Sequence, residues 1–134
     1  MKILFVCTGN SARSQMAEGL ARHFRIWDEV RSAGTAPKGI NPHAIMAMDE
    51  IGIDISAQQS KPLTPELISW ADVVITLCGD ARDSCPVLPS GKKHVHWGFD
   101  DPAAVEGEAE VVRAAFRRVR DEIRTASSEH AEFL

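Results

Sequence analysis

A cysteine and an arginine bracket the stretch CTGNSARS, residues 7–14. Cys7 ends an apolar run, and Arg13 follows it across a loop that contains Gly9 and Asn10. Both loop residues tolerate unusual backbone angles, so successive N–H groups can turn inward as an anion nest. A helix start after the loop adds positive potential. Arg13 can then close a two-pronged grip on an oxyanion. The same field stabilises a thiolate at Cys7, and Ser14 is placed to donate a hydrogen bond to it. The implied chemistry is attack by a thiolate on a tetrahedral oxyanion cradled by Thr8, Gly9, Asn10, Ser11, Ala12, Arg13 and Ser14. This is not a Walker loop, because the GK[ST] ending is missing and a cysteine leads. A cysteine at a strand end is also often just a small buried apolar residue. The loop around Cys7 is what sharpens its reading.

The chain has two further cysteines, Cys78 and Cys85, and an Asp100-Asp101-Pro102 run. In a reducing compartment so few cysteines point to catalysis, redox chemistry or metal binding rather than a permanent staple. Cys78 and Cys85 could be structural thiols, or zinc ligands with His94 and His96. Their spacing is too wide for the usual zinc knuckle, and the two histidines are expected on opposite faces of their strand, so no metal site is assigned. Asp100 and Asp101 are ambiguous by chemistry alone: one could cap a turn while the other acts as an acid.

The elements that must position these groups are legible from periodicity. Ile3 to Val6 and Val73 to Leu77 read as strands buried on both faces. Glu29 to Ala33, closed by Gly34, and His94 to Phe99 read as two more. Ser14 opens a helix with Ala17, Leu20, Ala21 and Phe24 on one face. Asn41-Pro42 and Thr64-Pro65 are helix starts. Ile45, Met48 and Ile51 line the first of these helices, and Gly52 stops it. Val112, Phe116, Val119 and Ile123 form the stripe of a long last helix. Residues 78–91 are turn-rich and expected to be irregular. Alternating strands and helices argue for a three-layer α/β/α sandwich with a four-stranded parallel sheet of flavodoxin-like topology. Ligands bind such sheets at the carboxyl ends of the strands, where Cys7, Cys78 and Asp101 would converge.

With 134 residues and 44% hydrophobic composition, a single domain over 1–134 is expected. With a net charge of −4 and basic residues scattered rather than banded, no nucleic-acid partner is expected. The opening MKILFVCTGN is too short for a signal core or a membrane span, so a cytoplasmic protein with no membrane association is expected.

CTGNSARSQMAEG resembles the signature of the low-molecular-weight protein tyrosine phosphatase fold. SAGT, NPHAI, IGIDIS, VVITLCGDARDSCP, HWGFDDPA and RVRDEI extend the likeness, in order, to its thioredoxin-coupled arsenate reductase branch. The resemblance implies a relay. Cys7 attacks arsenate while Asp101, the aspartate directly before proline, protonates the leaving oxygen. Cys78 then attacks Cys7 and arsenite leaves. Cys85 attacks Cys78, and thioredoxin reduces the Cys78–Cys85 disulfide. No cofactor is implied, phosphate is expected as a competitor, and a monomer is expected. Conformational change over residues 78–89 is expected between reduced and oxidised forms. Family phosphatases continue the DP pair with tyrosines, whereas this chain reads DPAA and contains no tyrosine. A small inorganic oxyanion therefore suits it better than an aryl phosphate; a phosphatase using only Cys7, Arg13 and Asp101 stands as the alternative, and a thiol sensor or metal-binding module as a third. Some relatives hold potassium beside the loop with residues matching Asn10, Glu18 and an aspartate. Here Lys61 replaces that aspartate, and its ammonium could pair with Glu18. Ala12 stands where many relatives carry a fourth cysteine.

Overall fold

The computed structural model describes residues 1–130. Strand β1, Lys2–Cys7, is the centre of the molecule. Ile3, Leu4, Phe5 and Val6 are all fully buried; because successive strand side chains alternate faces, both faces of β1 are covered. The remaining elements follow as α1 (Arg13–His23), β2 (Glu29–Gly34), α2 (Pro42–Asp49), α3 (Pro65–Trp70), β3 (Val73–Thr76), α4 (Gly79–Ser84), β4 (Lys93–His96), a 3-10 turn at Pro102–Ala104 and α5 (Ala109–His130). The strands form one parallel sheet in the order β2-β1-β3-β4. Helices α1, α2 and α5 pack on one another, while α3 and α4 lie against β1, and α4 also against β3. This is the expected α/β architecture with its four-stranded parallel sheet.

Local chemistry explains the element starts. The Asn41 side chain accepts the N–H of His43, and Thr64 Oγ1 accepts that of Leu67; in each case a proline follows in the first helical turn. Gly52, at φ +79°, leaves α2 in a left-handed conformation.

Four local expectations need correction. Phe24 does not join the buried face of α1: it is 44% exposed just past the helix end, with the Arg124 guanidinium 4.6 Å above its ring. The fourth strand is shorter than expected and ends at His96. Residues two apart on a strand share a face, so His94 and His96 do not point to opposite sides. His94 Nε2 and His96 Nδ1 both meet Thr76 Oγ1 at 2.9 Å. Finally, the segment after β3 is not irregular throughout, because Gly79–Ser84 is helical. Its turn-rich composition was misleading, since Cys78 acts as the cap: Cys78 Sγ accepts the N–H of Ala81 at 3.4 Å. From Gly79 to Gly91 only Ala81 is buried.

Candidate active site

The carboxyl edge of the sheet gathers the site. Leu77 N–H donates to Val6 O at 2.9 Å, and Phe99 N–H donates to Leu77 O at 3.1 Å. The chain leaving β1, the chain leaving β3 and the segment after β4 are thereby stitched side by side. Cys7, Arg13, Cys78 and Asp101 all line a single cleft of about 390 Å³.

The loop after Cys7 is held from outside by its carbonyls. Cys7 O accepts from Thr35 N–H, Thr8 O from Ala36, Gly9 O from Lys38, Ser11 O from Asn41 and Ala12 O from Met16, all at 2.8–3.2 Å. Asn10 O accepts from the Gln15 side chain at 3.0 Å. In a trans peptide the C=O and the following N–H point in opposite directions. Carbonyls turned outward therefore turn the N–H groups of residues 8–13 toward the cleft, which is the nest that the sequence implied. Asn10 makes the turn with φ +43°. Gly34, paired with Cys7 on β2, lets the loop lie close: an added Cβ would stand 2.6 Å from Thr8 O and 2.7 Å from Asn10 N.

The Asn10 side chain organises the interior. Its Oδ1 accepts the backbone N–H of Lys61 at 2.8 Å, so its amide nitrogen is the donor to Ser14 Oγ at 2.8 Å and to Ser32 Oγ at 3.0 Å. With that interaction made, the Ser14 hydroxyl hydrogen is free to point at Cys7 Sγ, 2.9 Å away. Ser32 in turn donates to Glu18 Oε1 at 3.0 Å. Glu18 is buried, with Lys61 Nζ at 3.9 Å and Arg22 Nη2 at 3.8 Å. Burial lowers the Lys61 pKa, and the Glu18 carboxylate opposes that shift.

Arg13 is buried. Its Nη1 donates to Phe99 O at 3.1 Å, and its Nη2 stands 3.7 Å from Asp101 Oδ2. The other Asp101 oxygen caps the 3-10 turn through the N–H of Ala103 at 3.0 Å. Asp100 is turned away toward Arg118, 3.5 Å off. Between the two aspartates, geometry thus puts only Asp101 in the cleft. Cys78 Sγ lies 3.4 Å from Thr8 Oγ1 as well as over the Ala81 N–H. All three cysteines are free thiols. Cys85 sits apart, at the far end of α4, and does not line the cleft. Partial burial pushes its thiol pKa up.

Three features of the cleft were not singled out by motif reasoning. Gly79 and Asp80, from the start of α4, line it, and so does Lys38. Lys38 sits in the loop after β2, in a stretch (PKGINP) whose only readable signal is the helix start that follows. No aromatic side chain lines the cleft among the described residues. Among those residues, too, no group of three or more His, Cys, Asp or Glu side chains could hold a metal ion. No described helix is long and apolar enough to cross a membrane.

A parallel α/β sheet carrying a cysteine-led oxyanion loop at its carboxyl edge, closed by a buried arginine and faced by an aspartate, defines a class of thiol-dependent oxyanion enzymes. Residues 2–134 match the family model of low molecular weight phosphotyrosine protein phosphatases, and the chain belongs to that family. An arsenate reductase of Halalkalibacterium halodurans is 58% identical over 123 residues, 90% of this chain and 88% of that protein. Among solved structures, an arsenate reductase in its reduced state superposes with a TM-score of 0.75 at 33% identity, covering 98% of this chain and 97% of the other. A Corynebacterium glutamicum thioredoxin-dependent arsenate reductase gives a TM-score of 0.73 at 32% identity. That match covers 98% of this chain but only 62% of that protein, so this chain spans less than two thirds of its length.

Proposed function

We propose that the protein reduces arsenate to arsenite through a Cys7–Cys78–Cys85 thiol relay, acting as a cytoplasmic monomer without a cofactor and regenerated by thioredoxin. One observation carries this reading: Cys78, 71 positions along the chain from Cys7, is brought into the same oxyanion cleft as a free thiol. A simple phosphatase has no use for that second sulfur. The names of the relatives support the same reading, as does a cleft with no aromatic lining for a phenyl ring.

The proposed steps are those the family resemblance implies, and the geometry of the cleft supports the first of them. The inward N–H groups and Arg13 hold three arsenate oxygens, and the Cys7 thiolate attacks arsenic opposite the fourth. Asp101 gives that oxygen a proton and water leaves, so an S–As bond replaces an As–O bond. Cys78 then attacks Cys7 Sγ, the S–As electron pair falls onto arsenic, and arsenite departs. Arsenic has gained two electrons, and Cys7 and Cys78 have become a disulfide. The Thr8 hydroxyl and the Ala81 N–H, both at 3.4 Å, are positioned to steady negative charge on the attacking Cys78. Cys85 next attacks Cys78 and expels Cys7 as a thiolate, and a thioredoxin dithiol reduces the new disulfide. Phosphate, with the same shape and charge, occupies the loop as a competitor.

The Cys85→Ala variant tests the relay. Mixed with arsenate in the absence of other thiols, it is expected to release one equivalent of arsenite and stop as a Cys7–Cys78 disulfide, detected by mass mapping. Continued hydrolysis of an aryl phosphate with no disulfide and no arsenite would establish the phosphatase instead.

A further inference from the structure

We infer that Lys38 is a second cationic arm of the oxyanion site, which recruits and retains the dianion while leaving the chemical steps to Arg13 and Asp101. This rests on the oxyanion reading of the cleft and deepens it. Lys38 lines the same cleft as Cys7. Its backbone is tied to the loop, because Lys38 N–H donates to Gly9 O at 3.0 Å. Its stem lies over Gly9: a Cβ added there would come within 2.8 Å of Lys38 Cε and 3.1 Å of Cγ. The missing Gly9 side chain is thus what lets the lysine lie across the loop that carries the inward N–H groups.

The charge balance of the cleft gives this position its meaning. Its ionisable side chains, the cysteines aside, are Arg13, Lys38, Asp80 and Asp101. Arg13 already faces Asp101 at 3.7 Å. Lys38 is the cation that offsets Asp80, and without it the lining carries an excess of negative charge where a dianion must bind beside a thiolate. Arg13 is buried and fixed by Phe99 O, whereas Lys38 is exposed, and among the described residues it has no ion-pair partner. An exposed ammonium on a flexible stem attracts an anion in solution and adds its charge to the grip on it once bound. In the proposed steps the proton for the leaving oxygen comes from Asp101, not from Lys38. Its effect therefore belongs in affinity rather than in turnover.

The experiment compares wild type with Lys38→Met and Lys38→Arg. In steady-state arsenate reduction, Lys38→Met is expected to raise KM about tenfold, equivalent to ~1.4 kcal/mol, with kcat within about twofold of wild type. Lys38→Arg is expected to keep KM within about twofold. The wild-type KM should climb with salt more steeply than that of Lys38→Met, because one screened charge has been removed. A readout independent of reduction is the protection of Cys7 from iodoacetamide by phosphate. Lys38→Met is expected to need about tenfold more phosphate for half protection. If wild type reduces no arsenate yet phosphate protection still depends on Lys38, the inference stands and the reductase reading falls. A phosphate protection curve for Lys38→Met that overlays wild type overturns the inference, whatever the reductase assay shows.

Discussion

The last exchange of the proposed relay requires helix α4 to come apart. Cys78 and Cys85 flank Gly79–Ser84 as its two caps, which at a rise of ~1.5 Å per residue sets their Cα atoms roughly 10 Å apart. A disulfide needs about 4.4–6.8 Å. Little holds the helix against unwinding, since Ala81 is its only buried side chain. Gly79 offers a clean way to stiffen it. Its φ is not positive, and a Cβ there would meet nothing nearer than Arg82 Nη2 at 3.8 Å. Gly79→Ala should favour the wound helix by ~0.4–1 kcal/mol, because the unwound chain loses freedom. If the helix is fully unwound when Cys85 attacks, that difference slows the exchange by about two- to fivefold. Arg82→Gly should act in the opposite sense by up to ~1 kcal/mol, since Arg82 is half-exposed and its ion pair with Asp83 is a surface one. The assay is a single turnover with arsenate and no thioredoxin, quenched with acid and alkylant, with the two disulfides quantified by mass spectrometry. Gly79→Ala should accumulate the Cys7–Cys78 form, and Arg82→Gly should deplete it. Equal lifetimes of that intermediate in all three proteins would refute the unwinding.

Asp101→Asn keeps the oxygen that caps Ala103 but loses the proton. Arsenate turnover should fall by about 100-fold or more while the thermal melt stays near wild type. Gly34→Ala would drive a methyl into the backbone of the oxyanion loop, at 2.6 Å from Thr8 O; displacing the loop by even ~1 Å should cut kcat/KM by about 100-fold. Lys61 already places a cation beside Glu18, so replacing sodium by potassium at equal ionic strength should leave the wild-type rate unchanged, and Lys61→Asp should make it potassium-responsive. Because burial raises the Cys85 pKa and the thiolate is the attacking species, resolution of the Cys7–Cys78 disulfide should accelerate by about tenfold per pH unit between pH 6 and 8. A rate that is flat over that range would mean that Cys85 is not the attacking group.

The parts of this site that were legible in the sequence are those in which one short stretch makes its own geometry. CTGNSARS carries the turn residues, the nucleophile and the arginine together, and the helix caps at Asn41 and Thr64 are local hydrogen bonds. Alternation and apolar runs gave the strands for the same reason, as β1 is covered on both faces. Two of the four departures bear on chemistry-bearing residues. The helix at Gly79–Ser84 was missed because its composition is that of a turn and its cap is a thiol, a weak acceptor that turn statistics ignore. His94 and His96, two apart on β4, share one face, so both rings meet Thr76 Oγ1 instead of facing opposite sides.

Lys38 was beyond reach for a different reason. Its place depends on Gly9 lying under its stem and on Gly34 letting the loop approach β2, contacts that join three stretches with no common motif. Lys61 likewise acts through tertiary contacts: its backbone N–H anchors Asn10 and its ammonium faces Glu18. Sequence reading could foresee that second pairing only because the family resemblance named the neighbours. On the proposed reading the loop motif sets which reaction the sulfur begins, namely attack on a tetrahedral anion. On the same reading, which anion is held, and how firmly, depends on groups that arrive from β2 onward: Lys38, Cys78 at the cap of α4, Asp80 within it, and Ala103, whose methyl offers no aromatic face. Changes at those positions should alter substrate choice and affinity while the attack by Cys7 survives, and replacing Cys7 or Arg13 should abolish every activity together.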